Sequence, residues 1–145
     1  MKHRNARNAR LLAAALGLAL AGAAAAQDTM REAQVRTTLE AQGYTDVHDV
    51  KFDDGLWEAD ATSADGRKVD VRIDPASGEI FPDNAVSQVS EAEVRARLSA
   101  AGYGRIGDVE FDDGLWKAEA WNASGQKMKV HLAPQDGRVL HERAD

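Results

Sequence analysis

The segment Phe52-Asp53-Asp54-Gly55-Leu56-Trp57 occurs a second time, letter for letter, as Phe111-Asp112-Asp113-Gly114-Leu115-Trp116. The same offset aligns Glu32-Ala33-Gln34-Val35-Arg36 with Glu91-Ala92-Glu93-Val94-Arg95, and Gly43-Tyr44 with Gly102-Tyr103. Roughly half the positions from Glu32 to Phe81 are identical to their counterparts from Glu91 to Leu140. A tandem duplication on this scale means one supersecondary unit built twice, and it restricts the fold more than any other feature.

Each copy changes period part-way. Val35 and Leu39 lie four apart, as do Val94 and Leu98, with Ala101 continuing that face, so each copy opens with an amphipathic helix. Thr29-Met30-Arg31-Glu32 and Ser90-Glu91-Ala92-Glu93 both read as capping boxes. Gly43 and Gly102 stand where a left-handed C-cap is expected. Beyond each helix the alternation is two-residue. Val50, Phe52, Trp57, Ala59, Ala61, Val69, Val71 and Ile73 alternate with charged residues, and Asp54-Gly55 and Asp65-Gly66 supply hairpin turns. Asp74-Pro75-Ala76-Ser77-Gly78 is a further turn before a short strand at Glu79-Ile80-Phe81. The expected fold class is therefore α+β: two tandem repeats, each a helix packed on a four-stranded antiparallel meander. Phe52 and Trp57 are expected in the core.

The expected division is a cleaved signal peptide at 1–26, repeat 1 at 27–82, a linker at 83–89 and repeat 2 at 90–145. Lys2, Arg4, Arg7 and Arg10 precede an apolar run from Leu11 to Gly22, and Ala24-Ala25-Ala26 offers a cleavage site between Ala26 and Gln27. About a dozen apolar residues fall short of the roughly 20 that span a bilayer. The expected address is periplasmic or secreted. Removing residues 1–26 takes four of the 18 Lys and Arg residues and none of the 24 Asp and Glu, leaving a formal charge of −10. That charge argues against nucleic acid or anionic lipid as partner. With no Cys there is no disulfide and no thiol chemistry. Two units of 50–60 residues without staples are expected to pack on each other. The tail His141–Asp145 is expected to fray.

The helix ending in Gly-Tyr, the strand Leu56-Trp57-Glu58-Ala59, the Asp-Gly hairpin and the closing phrase Val69–Ile80 resemble the PepSY family. Met128–Val139 is a weaker version of the closing phrase. The resemblance implies a helix packed on an antiparallel sheet, similar to the repeat unit of the beta-lactamase inhibitory proteins. It also implies a binding or inhibitory role toward peptidases or other envelope proteins, with no shared catalytic residues.

The residues themselves point the same way. Asp53-Asp54 and Asp112-Asp113 are paired carboxylates, but each pair sits in a predicted turn that needs Asp before Gly. Asp46, Asp49, Asp53 and Asp54 lack the ligand spacing of a calcium loop. His48, His131 and His141 lack zinc-ligand spacing, and neither metal nor cofactor is expected. His131 reads as a solvated strand residue. No nucleophile elbow or phosphate loop is present, so an enzyme is not expected.

The copies disagree at one place. Trp121 stands where repeat 1 has Thr62. It shares the outward parity of its hairpin with Lys117, Glu119, Lys127, Lys129 and His131, whereas repeat 1 presents Glu58, Asp60, Lys68, Asp70, Arg72 and Asp74. Two readings stand for Trp121: an anchor for a partner protein, or packing in the seam between the repeats. The function that follows is a binding module that inhibits or regulates an envelope or secreted peptidase through its open sheet face. The alternative is a cation- or small-ligand-responsive module using its acidic turns.

Overall fold

The computed structural model describes residues 30–145. The expected signal peptide, the expected cleavage site at Ala26/Gln27 and Thr29 lie outside the described residues. Each repeat is a helix followed by a four-stranded antiparallel meander, so the α+β reading holds. Repeat 1 runs α1 (Glu32–Ala41), β1 (Thr45–Asp53), β2 (Leu56–Thr62), β3 (Lys68–Ile73) and β4 (Ile80–Pro82). Repeat 2 runs α2 (Glu91–Ala100), β5 (Val109–Asp112), β6 (Leu115–Trp121), β7 (Lys127–Leu132) and β8 (Val139–Ala144).

The helices start and stop largely for the reasons their residues supply. Ser90 Oγ accepts from the Glu93 amide, and the Glu93 carboxylate accepts from the Ser90 amide at 2.7 Å. The first helix begins later than Thr29 implies. Arg31 is its N-cap, and Gln34 closes the turn by accepting from the Arg31 amide at 2.8 Å. Gly43 and Gly102 have φ of 88° and 94°, the left-handed geometry that ends each helix. Val35, Leu39, Val94 and Leu98 are fully buried against the sheets, whereas Ala101 is exposed. Each helix-covered face contributes Ala59, Val69, Val71 and Ile73, or Ala118, Met128, Val130 and Leu132.

The doubled motif does more than turn the chain. Asp54-Gly55 and Asp113-Gly114 all have positive φ, as a tight hairpin turn requires. Beyond each turn the leucine faces away from its own helix. Leu56 and Leu115, 1% and 0% exposed, form a third apolar cluster with Phe81, Ala133 and Leu140. That cluster is the seam between the repeats. Gly55 lies against His141 and Gly114 lies against Pro82, and positions 82 and 141 are counterparts in the duplication. Arg138 pairs with its own counterpart, Glu79. Arg72 of β3 donates to the Asp113 carbonyl at 2.9 Å, and Arg143 of β8 meets Asp54 at 2.5 Å. The contacts describe an approximate two-fold axis, with each repeat's Asp-Asp-Gly-Leu turn docked on the other repeat's last strand. Such a patch is self-complementary by construction. At the Glu79/Arg138 position the duplicated patch has diverged to opposite charges, which removes the like-charge repulsion two identical copies would suffer.

Three expectations are corrected. Phe52 is 53% exposed and outside the core, in edge-on contact with Trp57, which is half-buried and packs against the helix-covered core of repeat 1. Asp74 is 5% exposed and is not on the open face. Its carboxylate accepts from Ala76 N and Ser77 Oγ, holding the turn that precedes β4. The C-terminal tail does not fray, because β8 pairs with β7 from Met128 to Leu132 and Asp145 N donates to the Lys127 carbonyl. The segment between β4 and α2 is also tied down. Gln88 N and Ser87 Oγ donate to the Pro134 carbonyl, and Trp116 Nε1 donates to Ser87 Oγ at 2.7 Å.

Candidate functional site

Alternation along β6 and β7 puts the six expected residues on one face as three rungs. Lys117 stands opposite His131, Glu119 opposite Lys129, and Trp121 opposite Lys127. Their intervening neighbours, Trp116, Ala118, Ala120, Met128 and Val130, are buried under α2. Lys117, Glu119, Lys129 and His131 also line a cleft of about 480 Å³, which the first repeat closes with Asp53, Asp54, Leu56, Glu58 and Arg72. Trp121 and Lys127 lie beyond that cleft. A counterpart cleft of about 330 Å³ covers the open face of the first sheet, lined by Asp49, Asp60, Asp70 and Arg72 and closed by Asp113 of the second repeat.

Trp121 belongs to the second repeat alone. Its backbone pairs with Gly104, the Arg105 guanidinium lies 4.5 Å from its ring centroid, and Lys127 Nζ lies at 5.9 Å. Gly107 leaves room beside the ring, where repeat 1 has His48. The apolar seam is made by other residues.

The lysines are not a free basic surface. Lys127 meets Glu119 at 2.9 Å and Asp145 at 2.8 Å, Lys129 meets Asp145 at 3.1 Å, and Lys117 meets Asp112 at 2.7 Å. The hydrogen bonds it donates to Asp145 and Glu119 hold the Lys127 ammonium above its ordinary range, while those Asp145 accepts from Lys127 and Lys129 hold its carboxyl below the usual carboxylate range. Neither the C-terminal Asp145 nor the stacking Arg105 was singled out by reading the sequence. Asp145 would have needed a paired β8, and Arg105 a loop folded back over β6.

His131 is half-buried, and its Nδ1 is sealed from solvent without a hydrogen-bond partner. This corrects its reading as a solvated residue. Burial is the main influence on its imidazole and keeps its pKa below the ordinary value, with Arg72, His141 and Lys117 acting the same way and Asp54 opposing them.

The open face of the first sheet carries a different grouping. β1 is irregular around His48, with φ of 52° at Asp46 and 49° at Asp49. The irregularity brings His48 Nε2 to 3.9 Å from the Asp49 carboxylate and 3.8 Å from that of Asp60. His48 Nδ1 lies 2.7 Å from the Asp46 carbonyl. Three donor atoms within 4.8 Å of one another could together take a cation, although all three side chains remain substantially open to water. Asp70 stands directly across from Asp60 and is pushed upward by burial and then by the charge of Asp60.

The family of peptidase propeptide and YPEB domains, PepSY_2, matches residues 8–84 and again 83–143. The chain belongs to this family. The PepSY match comes as two consecutive regions, in keeping with the tandem units of the fold. PepSY domains are associated with peptidase propeptides and inhibitor-like binding and are non-catalytic modules. No curated protein and no solved structure matches the chain. Among the described residues, no helix is long and apolar enough to cross a membrane.

Proposed function

We propose that this PepSY protein is an exported, non-enzymatic binding module that restrains an envelope or secreted peptidase through the open face of its second sheet. One observation carries the assignment of the face. Trp121, an aromatic without counterpart in repeat 1, is held beside Arg105 at the end of three cross-strand rungs and outside the seam. Trp and Arg are both among the residue types enriched at binding hot spots. Lys117, Glu119, Lys127 and Lys129 supply a polar surround whose charges are already oriented by internal partners, with the half-buried His131 beside them. The basic, apolar, Ala-rich N-terminal segment supports export.

Replacing Trp121 by Ala should cost roughly 1 kcal/mol of stability, the scale of a partly exposed cation–π contact. The same change should weaken partner binding about thirtyfold, which is the roughly 2 kcal/mol of a hot spot. Denaturation and binding curves for the same variant separate the two effects. A large loss of stability would return Trp121 to a structural role.

A second reading, a cation-responsive module, is favoured by the convergence of His48, Asp49 and Asp60. It places the cation on β1 and β2 rather than in the acidic turns. It predicts that Zn²⁺ or Mn²⁺ raises the melting temperature and that His48→Ala abolishes the rise. No shift in the unmutated protein would remove this reading.

A further inference from the structure

The two halves of the seam are related by the duplication but differ in chemistry. On one half, Arg72 grips the turn at Asp113, and Gly114 lies against Pro82. On the other, the counterparts of Arg72 and Pro82 are His131 and His141, and the turn that docks there carries Asp54 and Gly55. Duplication and divergence have put Arg72 on the docked turn in one half, and in the other two imidazoles beside an ion pair from Arg143 of β8 to Asp54.

We propose that the seam is an acid-sensitive latch: protonation of His131 loosens the docking of the Asp53–Leu56 turn on β7 and β8 and opens the larger cleft. The groups around His131 set the direction. Lys117 of β6 and His141 of β8 are its cross-strand neighbours, and Lys129 precedes it on the same face of β7. From the first repeat, Arg72 of β3, Glu58 of β2 and Asp53 and Asp54 of the turn line the cleft that it faces, with Glu119 of β6 beside them; of these, Arg72 and Asp54 act on its imidazole. Asp54 is the carboxylate that could stabilise an imidazolium there, and Arg143 of β8 already holds it at 2.5 Å. Protonation would also place an N–H on Nδ1 or strengthen the one present, at an atom sealed from water with no acceptor. A charged His131 is thus disfavoured while the turn is docked and tolerated once the turn has moved away.

The sign follows from that preference. The imidazole pKa is lower in the docked state than its free value of 6.5. Its contribution to docking is complete above pH 6.5 and is lost as pH falls from there through the docked-state titration. The half where Arg72 meets Asp113 and Gly114 lies against Pro82 has no imidazole at the positions of His131 and His141, so the repeats stay tethered on that side while the other opens.

Hydrogen exchange of the intact chain at pH 7.5 and 5.5, corrected for intrinsic rates, tests the latch. Exchange of segment 53–58 should rise in acid, by up to about tenfold for each pH unit between 6.5 and the docked-state titration, while segment 112–117, held by Arg72, should keep its protection. His131→Asn should remove the rise, while His48→Asn, away from the seam, should keep it. Equal protection of the unmutated protein at both pH values would overturn the proposal, as would a rise that persists in His131→Asn or disappears only in His141→Asn. A readout independent of any variant's folding is the imidazole titration of His131 by NMR, expected below 6.5; a value above 6.5 would equally overturn it.

Discussion

Gly114→Ala is expected to destabilise the protein by roughly 3 kcal/mol or more, and Gly66→Ala by only about 1 kcal/mol. Both glycines have positive φ, +76° and +81°, so both substitutions carry the left-handed penalty of an L-residue. The difference is what stands beside them. A Cβ at Gly66 meets nothing within 4 Å, whereas one at Gly114 runs into the backbone carbonyl of Pro82 in the other repeat. A backbone atom in β4 cannot swing aside as a side chain can, so the turn must lift off the strand. Gly55→Ala should fall between them, because it meets the His141 side chain, whose dihedrals can turn more readily than a strand backbone can shift. Chemical denaturation of the three variants orders them. Equal losses for Gly114→Ala and Gly66→Ala would mean that the two repeats are not docked as described.

The second large effect is on the leucines that follow those glycines. Leu115→Ala and Leu56→Ala should each cost about 2–5 kcal/mol, the range for a leucine removed from a closed core. Both belong to the seam cluster with Phe81, Ala133 and Leu140, not to either helix-covered core. Because they share one cluster, the double variant should depart from additivity by about 0.5 kcal/mol or more. If the repeats were merely tethered, Leu56 and Leu115 would sit on open sheet faces and either truncation would change stability by less than about 0.5 kcal/mol. Equilibrium unfolding distinguishes these outcomes.

Much of this fold is legible in the residues, for local reasons. The change of period from 3.6 to 2, the Asp-Gly turns and the Gly after each helix are short-range signals, and Ser90, Gly43, Gly102 and the eight strands follow from them. The three rungs of the candidate face were legible as well, since strand parity alone groups Trp121, Lys117, Glu119, Lys127, Lys129 and His131. The seam was harder to read. Leu56 and Leu115 share parity with Glu58 and Lys117, so each is the apolar end of an otherwise charged face, repeated in both copies. That signal is present, but Phe52 and Trp57 beside it are larger and draw the core assignment to themselves. The charge balance of the face was not legible, because Lys127 and Lys129 are neutralised by Asp145, whose position depends on β8 pairing to the last residues. The unpartnered Nδ1 of His131 depends on how the first repeat sits over β7, a long-range consequence of the seam.

The doubled turn is a docking element that holds the two PepSY units against each other, and the proposed binding surface lies where the copies diverge. The most direct test of that functional account is affinity capture from an envelope extract, with the mature protein and its Trp121→Ala variant run side by side. The account predicts a peptidase that the unmutated protein retains and inhibits and that the variant releases. Retention of the same proteins by both, or loss of binding only through unfolding of the variant, would contradict it.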